Sequence, residues 1–285
     1  MATINPEPMV WLITGCSSGL GREIAIAARK RGDHVIATAR KVETLDELKT
    51  LGCQTLTLDI KSVDVIVCNI VAQAHAFHGR IDILVNNAGF SAHGAVEDAT
   101  SDNIQAVFDT NVFGTLRVTR VVLPYMREKR SGTIANVGSG AGYVAFPFIG
   151  IYSATKFAVA GFTQSLRQEV ASFGIKVTVI EPAAFRTNGP TGRLTFPNVT
   201  KDYEPVKKAA AAQFAGILTG DAAKGAQAVV EALTQSGRCE DRELPSRLPL
   251  GSGNYELMSR GLEHAKEELD AWVDFTDPAA FSFDE

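Results

Sequence analysis

From residue 9 to residue 180, short apolar runs alternate with helix-patterned stretches, and this alternation constrains the fold more than any other property of the chain. The runs lie at 9–14, 34–39, 54–58, 81–85, 133–137 and 176–180. Each is too continuously apolar to be half exposed, as expected of strands buried on both faces. Between them lie helical stretches at 20–31, where Leu20, Ile24, Ala27 and Ala28 recur, at 42–51, and at 63–77 behind Ser62 as N-cap. Two longer ones cover about 101–129, where Pro124 predicts a kink or break, and about 152–172. Strict β-α-β alternation predicts an α/β fold, a doubly wound parallel sheet with helices on both faces.

Beyond Pro182 the pattern loosens. Residues 183–200 are rich in Gly, Pro, Thr and Asn and read as a long loop of the kind that forms lids. Helices are expected at 203–218 and 221–235, and 244–250, broken by Pro245 and Pro249, suits only a short or edge strand. An amphipathic helix is expected at 255–275. No linker marks a second domain. The chain reads as one domain over 1–285, with a lid-like loop and helices over about 183–235 and a helical extension over about 251–285.

A net charge of −4 supplies no basic field for nucleic acid. Cys16, Cys53, Cys68 and Cys239 are scattered, without a C-x-x-C pair or a histidine at metal spacing, so free thiols and no metal site are expected. Residues 131–155 carry no formal charge, yet they contain Gly132, Gly138, Gly140, Gly142, Gly150, Asn136 and Pro147. They read as a buried strand, a loop and a helix start, not a membrane span. With no cationic leader over 1–8, a soluble, cytoplasmic protein is expected.

Thr14-Gly15-Cys16-Ser17-Ser18-Gly19-Leu20-Gly21 lies between the first strand and the first helix. Glycines there let the backbone approach a pyrophosphate, and the helix N-terminus offers it free N–H groups. The absence of a Lys-Ser/Thr pair argues against a triphosphate loop. The second strand ends in Ala39-Arg40-Lys41, with no carboxylate for a ribose 2′-hydroxyl, so NADP(H) is favoured over NAD(H). Tyr152 and Lys156 fall one helical turn apart, where an ammonium can act on a phenol. Ser139 follows the fifth strand and is a plausible partner for a carbonyl oxygen.

In register, these motifs resemble the short-chain dehydrogenase/reductase family over residues 8 to about 190. The matching segments are TGCSSGLG at 14–21, LDI with Asp59 and Ile60, NNAG at 86–89, Asn111, Ser139, YSATK at 152–156, and the segment from Pro182 to Thr187. The resemblance implies a Rossmann-type single domain, a homodimer or homotetramer built on the two long helices, and a small-molecule carbonyl or alcohol substrate. It implies that Tyr152 is the proton donor in reduction, that Lys156 lowers its pKa and holds the nicotinamide ribose, that Ser139 bonds the substrate oxygen, and that Asn111 anchors a water relay. It further implies that Gly15, Ser17, Ser18, Gly19, Leu20 and Gly21 cradle the pyrophosphate and that Asp59 and Ile60 meet the adenine. Asn87, Ala88 and Gly89 would line the cleft, with Pro182 and Thr187 at the nicotinamide.

Two positions depart from the family pattern. Pro182-Ala183 replaces Pro-Gly, restricting backbone that normally has access to positive φ. Gly138-Ser139 replaces Ser-Ser, keeping the functional hydroxyl on a more pliable strand end. Phe90, His93, Tyr143, Phe146, Phe148 and Phe185 are the candidates for an apolar substrate pocket. The expected function is an NADP(H)-dependent oxidoreductase interconverting a ketone and a secondary alcohol, in the reductive direction. The alternatives are a redox-neutral isomerase or cyclase on the same fold and a non-catalytic nucleotide-sensing scaffold.

Overall fold

Seven parallel strands make the central sheet: β1 Val10–Ile13, β2 His34–Ala39, β3 Gln54–Thr57, β4 Ile83–Asn86, β5 Gly132–Val137, β6 Ile175–Pro182 and β7 Arg247–Leu250. The structure is a computed structural model describing residues 7–186, 193–214 and 220–276. The strand order is β3-β2-β1-β4-β5-β6-β7, all ladders parallel. Leu12 of β1 pairs with Ile36 of β2 on one side and Leu84 of β4 on the other. The chain therefore reverses its winding between β1 and β4, and the crevice beyond their C-terminal ends is where such sheets bind ligands.

Alternation along β1 shows how the layers form. Trp11 and Ile13 point into a core shared with Ile24, Ala28, Val229 and Leu233, beneath helices α1 Gly19–Arg31 and α8 Ala222–Thr234. Val10 and Leu12 point into the opposite core with Val67, Val71, Val118 and Val122. That face is covered by α3 Asp64–His78, α5 Thr115–Lys129 and α6 Gly150–Val170. A strand buried on both sides has no polar face, which is why these runs read as continuously apolar. The remaining helices are the short α2 Asp46–Thr50, α4 Ser101–Phe108, α7 Glu204–Phe214 and α9 Asn254–Ala271.

Several expectations are corrected. Val63, not Ser62, holds the N-cap position of α3, without a side-chain bond, because the Ser62 amide turns back to the Asp59 carbonyl at 3.0 Å. Helix α5 runs through Pro124 without a break. Pro124 and Arg120, whose carbonyl loses its partner, both lie on the exposed side, where water can replace the bond. The irregularity lies earlier, in the π-helical turn Asp109–Gly114 that joins α4 to α5 and carries Asn111. The stretch 183–200 is not all loop. Arg193–Thr195 pairs in parallel with Ser91–His93, and Phe185–Arg186 with Gly220–Asp221. Within the 244–250 segment, Arg247–Leu250 is an edge strand as expected, paired with β6. Among the described residues, no helix is long and apolar enough to cross a membrane, and no cluster of His, Cys, Asp or Glu has the geometry to hold a metal.

Candidate active site

The Gly-rich turn is locked to the end of β4. Gly15 has φ +71°, and a Cβ on it would fall 2.8 Å from the Ala88 Cα, so only glycine fits. Thr14 Oγ1 accepts from the amides of Asn87 at 3.0 Å and Ala88 at 3.1 Å, while Asn87 Nδ2 donates to the carbonyls of Thr14 and Gly15, each at 3.0 Å. Asn87 thus holds the turn itself. Thr14 is a contributor the motif reading passed over, although it opens the motif.

What the turn presents outward is a bare helix start. Ser18, the N-cap of α1, makes no side-chain cap bond, and the first turn has no acidic residue. Ser17 is exposed and Gly19 has φ +66°. Free N–H groups with positive potential and no carboxylate suit an anionic pyrophosphate. Leu20 and Gly21 follow in the same turn, and Gly21 is buried against Asn87. Arg40 is exposed at the end of β2, and among the described residues it forms no ion pair. Asp59 is half-buried past β3, its Oδ1 fixed by the Lys61 amide at 2.9 Å, while Ile60 is buried against Gly114. Gly89 lies against the Asn111 side chain, and Pro182 ends β6 on the same edge of the sheet. Thr187 lies outside the described residues.

Four side chains gather beyond β4, β5 and β6. Asn111 is 2 % exposed, and its amide is committed on every side. Nδ2 donates to the Phe90 carbonyl at 2.9 Å and to Thr155 Oγ1 at 3.1 Å, and Oδ1 accepts from the Phe90 amide at 3.0 Å. A π-helical turn placing such a residue is a recurrent feature of functional sites. Ser139 has extended backbone, and its hydroxyl accepts from the Ala141 amide at 3.1 Å. Lys156 is buried, donates to the Val137 carbonyl at 2.7 Å, and lies 5.6 Å from the Tyr152 ring centroid.

The electrostatics differ from the expectation for Lys156. Burial holds the Tyr152 phenol above its ordinary 10, and the hydrogen bond from Ser139 is what opposes the rise. Lys156 is itself desolvated, its pKa lowered by burial from 10.5 to about 8. Within the protein alone, its ammonium serves the Val137 carbonyl, and the downward pull on Tyr152 comes from Ser139.

The departures at 138 and 183 also read differently in three dimensions. Ala183 keeps negative φ, and its amide donates to the Leu250 carbonyl at 2.8 Å, so the missing glycine costs no strain. Gly138 is close-packed rather than pliable: a Cβ there would fall 2.6 Å from Val179 Cγ2. Because Val179 is stiff at χ1 and fully buried, Gly138→Ser should lose about 1–3 kcal/mol of stability. Urea unfolding of the variant beside wild type checks this; an unchanged midpoint would show that Val179 moves aside freely.

A cavity of about 600 Å³ opens between the Ser91–His93 ladder and α7, a size within the usual range for small-molecule sites. His93 and Phe148 line it, with Phe196, Tyr203, Arg193 and Lys207 as walls that motif reading did not find. His93 is held below its ordinary pKa by burial and then by Arg193, and its Nε2 pairs with Ser91 Oγ at 2.9 Å. Phe90 packs beside Tyr152, Val107 and Phe196 instead of lining the cavity. Phe146 is likewise not among its walls. Phe185 is not among its walls either. It packs into the core under α8, against Gly220, Gly225 and Gly251, whose lack of Cβ atoms makes room for the ring. Tyr143 turns toward β7, with the Arg247 guanidinium 3.4 Å from its ring centroid.

Against known proteins, residues 9–193 match the family model described as short chain dehydrogenase. The chain is 37% identical over 270 residues to oxidoreductase BOA17 of Botryotinia fuckeliana (strain B05.10), covering 92% of this chain and 96% of that protein. A crystal structure of a short-chain dehydrogenase from Streptomyces avermitilis superposes with a TM-score of 0.85 at 37% identity, over 95% of this chain and 98% of that one. A variant of actinorhodin polyketide ketoreductase with NADPH superposes with a TM-score of 0.71 at 29% identity, over 87% and 97%.

Proposed function

The chain belongs to the short chain dehydrogenase family, and from that premise we propose that it is an NADP(H)-dependent oxidoreductase reducing a ketone of an apolar small molecule to a secondary alcohol. The observation that carries this reading is the convergence of Asn111, Ser139, Tyr152 and Lys156 at the sheet edge that also holds the uncapped start of α1. A nucleotide-sensing scaffold has no use for a buried lysine beside a half-buried tyrosine; proton transfer does.

The residues present fit a dinucleotide. The first turn of α1 would take the pyrophosphate, and Asp59 would take the adenine. NADPH supplies the hydride when bound. The protein's part is to orient a carbonyl and to handle its proton. Ser139 and Tyr152 both address one oxygen, Tyr152 donates to it as negative charge develops, and Lys156 adds positive potential nearby. Asn111 keeps the Phe90 backbone and Thr155 in place around them. Kinship with a polyketide ketoreductase at 29% identity, together with a largely apolar cavity walled by Phe148, Phe196 and Tyr203, supports an extended apolar substrate.

Choice of NADPH rests on Arg40. Its exposed guanidinium, with no neighbouring carboxylate at the end of β2, suits a 2′-phosphate. In Arg40→Asp the dissociation constant for NADPH should rise about 10- to 100-fold, the worth of a charge-assisted contact, while that for NADH holds or improves. Fluorescence titration with both cofactors is the check, and equal losses would remove Arg40 from the recognition. The homo-oligomeric contact belongs, on this reading, to the face where Phe113 and Phe157, each 46% exposed, stand out from the two long helices. Phe157→Glu should shift the protein to a smaller species in light scattering; a wild type already monomeric would exclude the contact.

A further inference from the structure

Behind Ser139 lies a buried charge that the proposed reaction does not use. Glu181 in β6 is fully buried and is forked by Arg247 of β7. Arg247 Nε lies 3.1 and 3.0 Å from the two carboxylate oxygens, and Nη2 bonds the same carboxylate. The guanidinium does two further things. Nη2 donates to the Gly142 carbonyl at 2.9 Å, and its plane covers the Tyr143 ring. Asn254, buried at the start of α9, donates to the Glu181 backbone carbonyl at 2.6 Å, and a Cβ on Gly140 would fall 2.9 Å from its Oδ1.

All of these contacts converge on one short turn. Gly140–Gly142 is a 3-10 turn with Ser139 as its N-cap. Its other side rests on α6, where a Cβ on Gly142 would fall 2.9 Å from the Lys156 carbonyl. The turn is therefore held between the helix that carries Tyr152 and Lys156 and the set Glu181, Arg247 and Asn254. A buried ion pair contributes little net stability compared with apolar residues of the same volume. A planar fork that also reaches a carbonyl and stacks on a ring does fix geometry.

We propose that the Glu181–Arg247 pair is the positioning device of the active site, clamping the turn 140–143 so that the Ser139 hydroxyl meets Tyr152. Its effect on turnover rests on the reductase reading; its geometry does not. Glu181 and Arg247 are positioning residues that act through Ser139. The hydrogen bond from Ser139 opposes the rise in the Tyr152 pKa, so a loosened turn lets the phenol titrate at higher pH.

Two variants test this. Arg247→Lys keeps a cation beside the buried carboxylate but cannot fork or stack. The double variant Glu181→Gln with Arg247→Met removes both charges, so neither is left unpaired. Each is compared with wild type in turnover and in the tyrosinate absorbance of Tyr152, isolated by subtracting the matching Tyr152→Phe protein. The expected result is a loss of about 10- to 100-fold in kcat, KM for NADPH little changed, and Tyr152 titrating at higher pH in a folded protein. An unmoved titration overturns the proposal, whether kcat holds or falls with the folded fraction. Unfolding of both variants also overturns it, since the pair would then be a staple of the fold. The titration needs no turnover. A wild type that reduces no ketone therefore counts against the reductase reading, and only an unmoved Tyr152 counts against the clamp.

Discussion

Tyr152→Phe is expected to lower turnover about 10²- to 10⁴-fold while leaving NADPH binding and the fold intact. The ring packs among Phe90, Ile151, Val107 and Leu194, and phenylalanine keeps all of that apolar contact. What disappears is the one hydroxyl that Ser139 addresses and that burial keeps protonated well above neutral pH. A phenol held above 10 is a donor throughout the neutral range, so reduction should show no acid-side titration from Tyr152. Steady-state rates beside a cofactor titration separate the two effects. A variant that turns over like wild type would mean that another group protonates the oxygen.

The second large effect concerns Lys156, where function and stability should part. Its pKa falls from 10.5 to about 8 because burial penalises the charged form, a change worth about 3 kcal/mol. The sign follows from the folded state holding its proton less tightly than the unfolded one. Below about 8, Lys156 is charged in both states and the fold carries the whole penalty. Between about 8 and 10.5 the folded form releases its proton first, and stability gains as pH rises. Lys156→Met removes that penalty but leaves the Val137 carbonyl without its 2.7 Å partner, a loss of about 1–3 kcal/mol. The variant should therefore be at least as stable as wild type at pH 7, lose that advantage near pH 10.5, and fall at least about 10²-fold in turnover. Wild-type reduction should correspondingly decline as pH rises past about 8. Thermal melts at the two pH values, with rates from the same preparations, test all three. Destabilisation at neutral pH would mean that Lys156 is a structural cation.

Most of the fold and the heart of the site are written in local sequence, for physical reasons visible in particular residues. Fully buried strands announce themselves as apolar runs, and the edges of β1 to β6 fall within about two residues of the sequence boundaries. The Gly-rich turn and the Tyr152–Lys156 spacing are local too, each set by backbone geometry within one turn. What escaped depends on partners far along the chain. The Arg193–Thr195 strand exists only because Ser91–His93 lies beside it, and three residues carry no period to read. Phe185 packs where Gly220, Gly225 and Gly251 make room for its ring, and none of the three is legible from position 185. Gly138 looked pliable because Val179, on the neighbouring strand, is invisible from position 138. Glu181 left one legible sign, a lone carboxylate closing an apolar strand, and a buried charge requires a partner. That partner, Arg247, lies 66 residues away.

The most direct measurement follows the hydride itself. Wild type is supplied with NADPH deuterated at its hydride carbon and with a panel of apolar ketones, and the alcohol products are read by mass spectrometry. A reductase built on Tyr152, Ser139 and Lys156 delivers one deuterium to the carbinol carbon for each NADPH consumed, and the Tyr152→Phe protein delivers almost none. Tight NADPH binding with no labelled alcohol from any ketone, or equal labelling by the Tyr152→Phe protein, would contradict it.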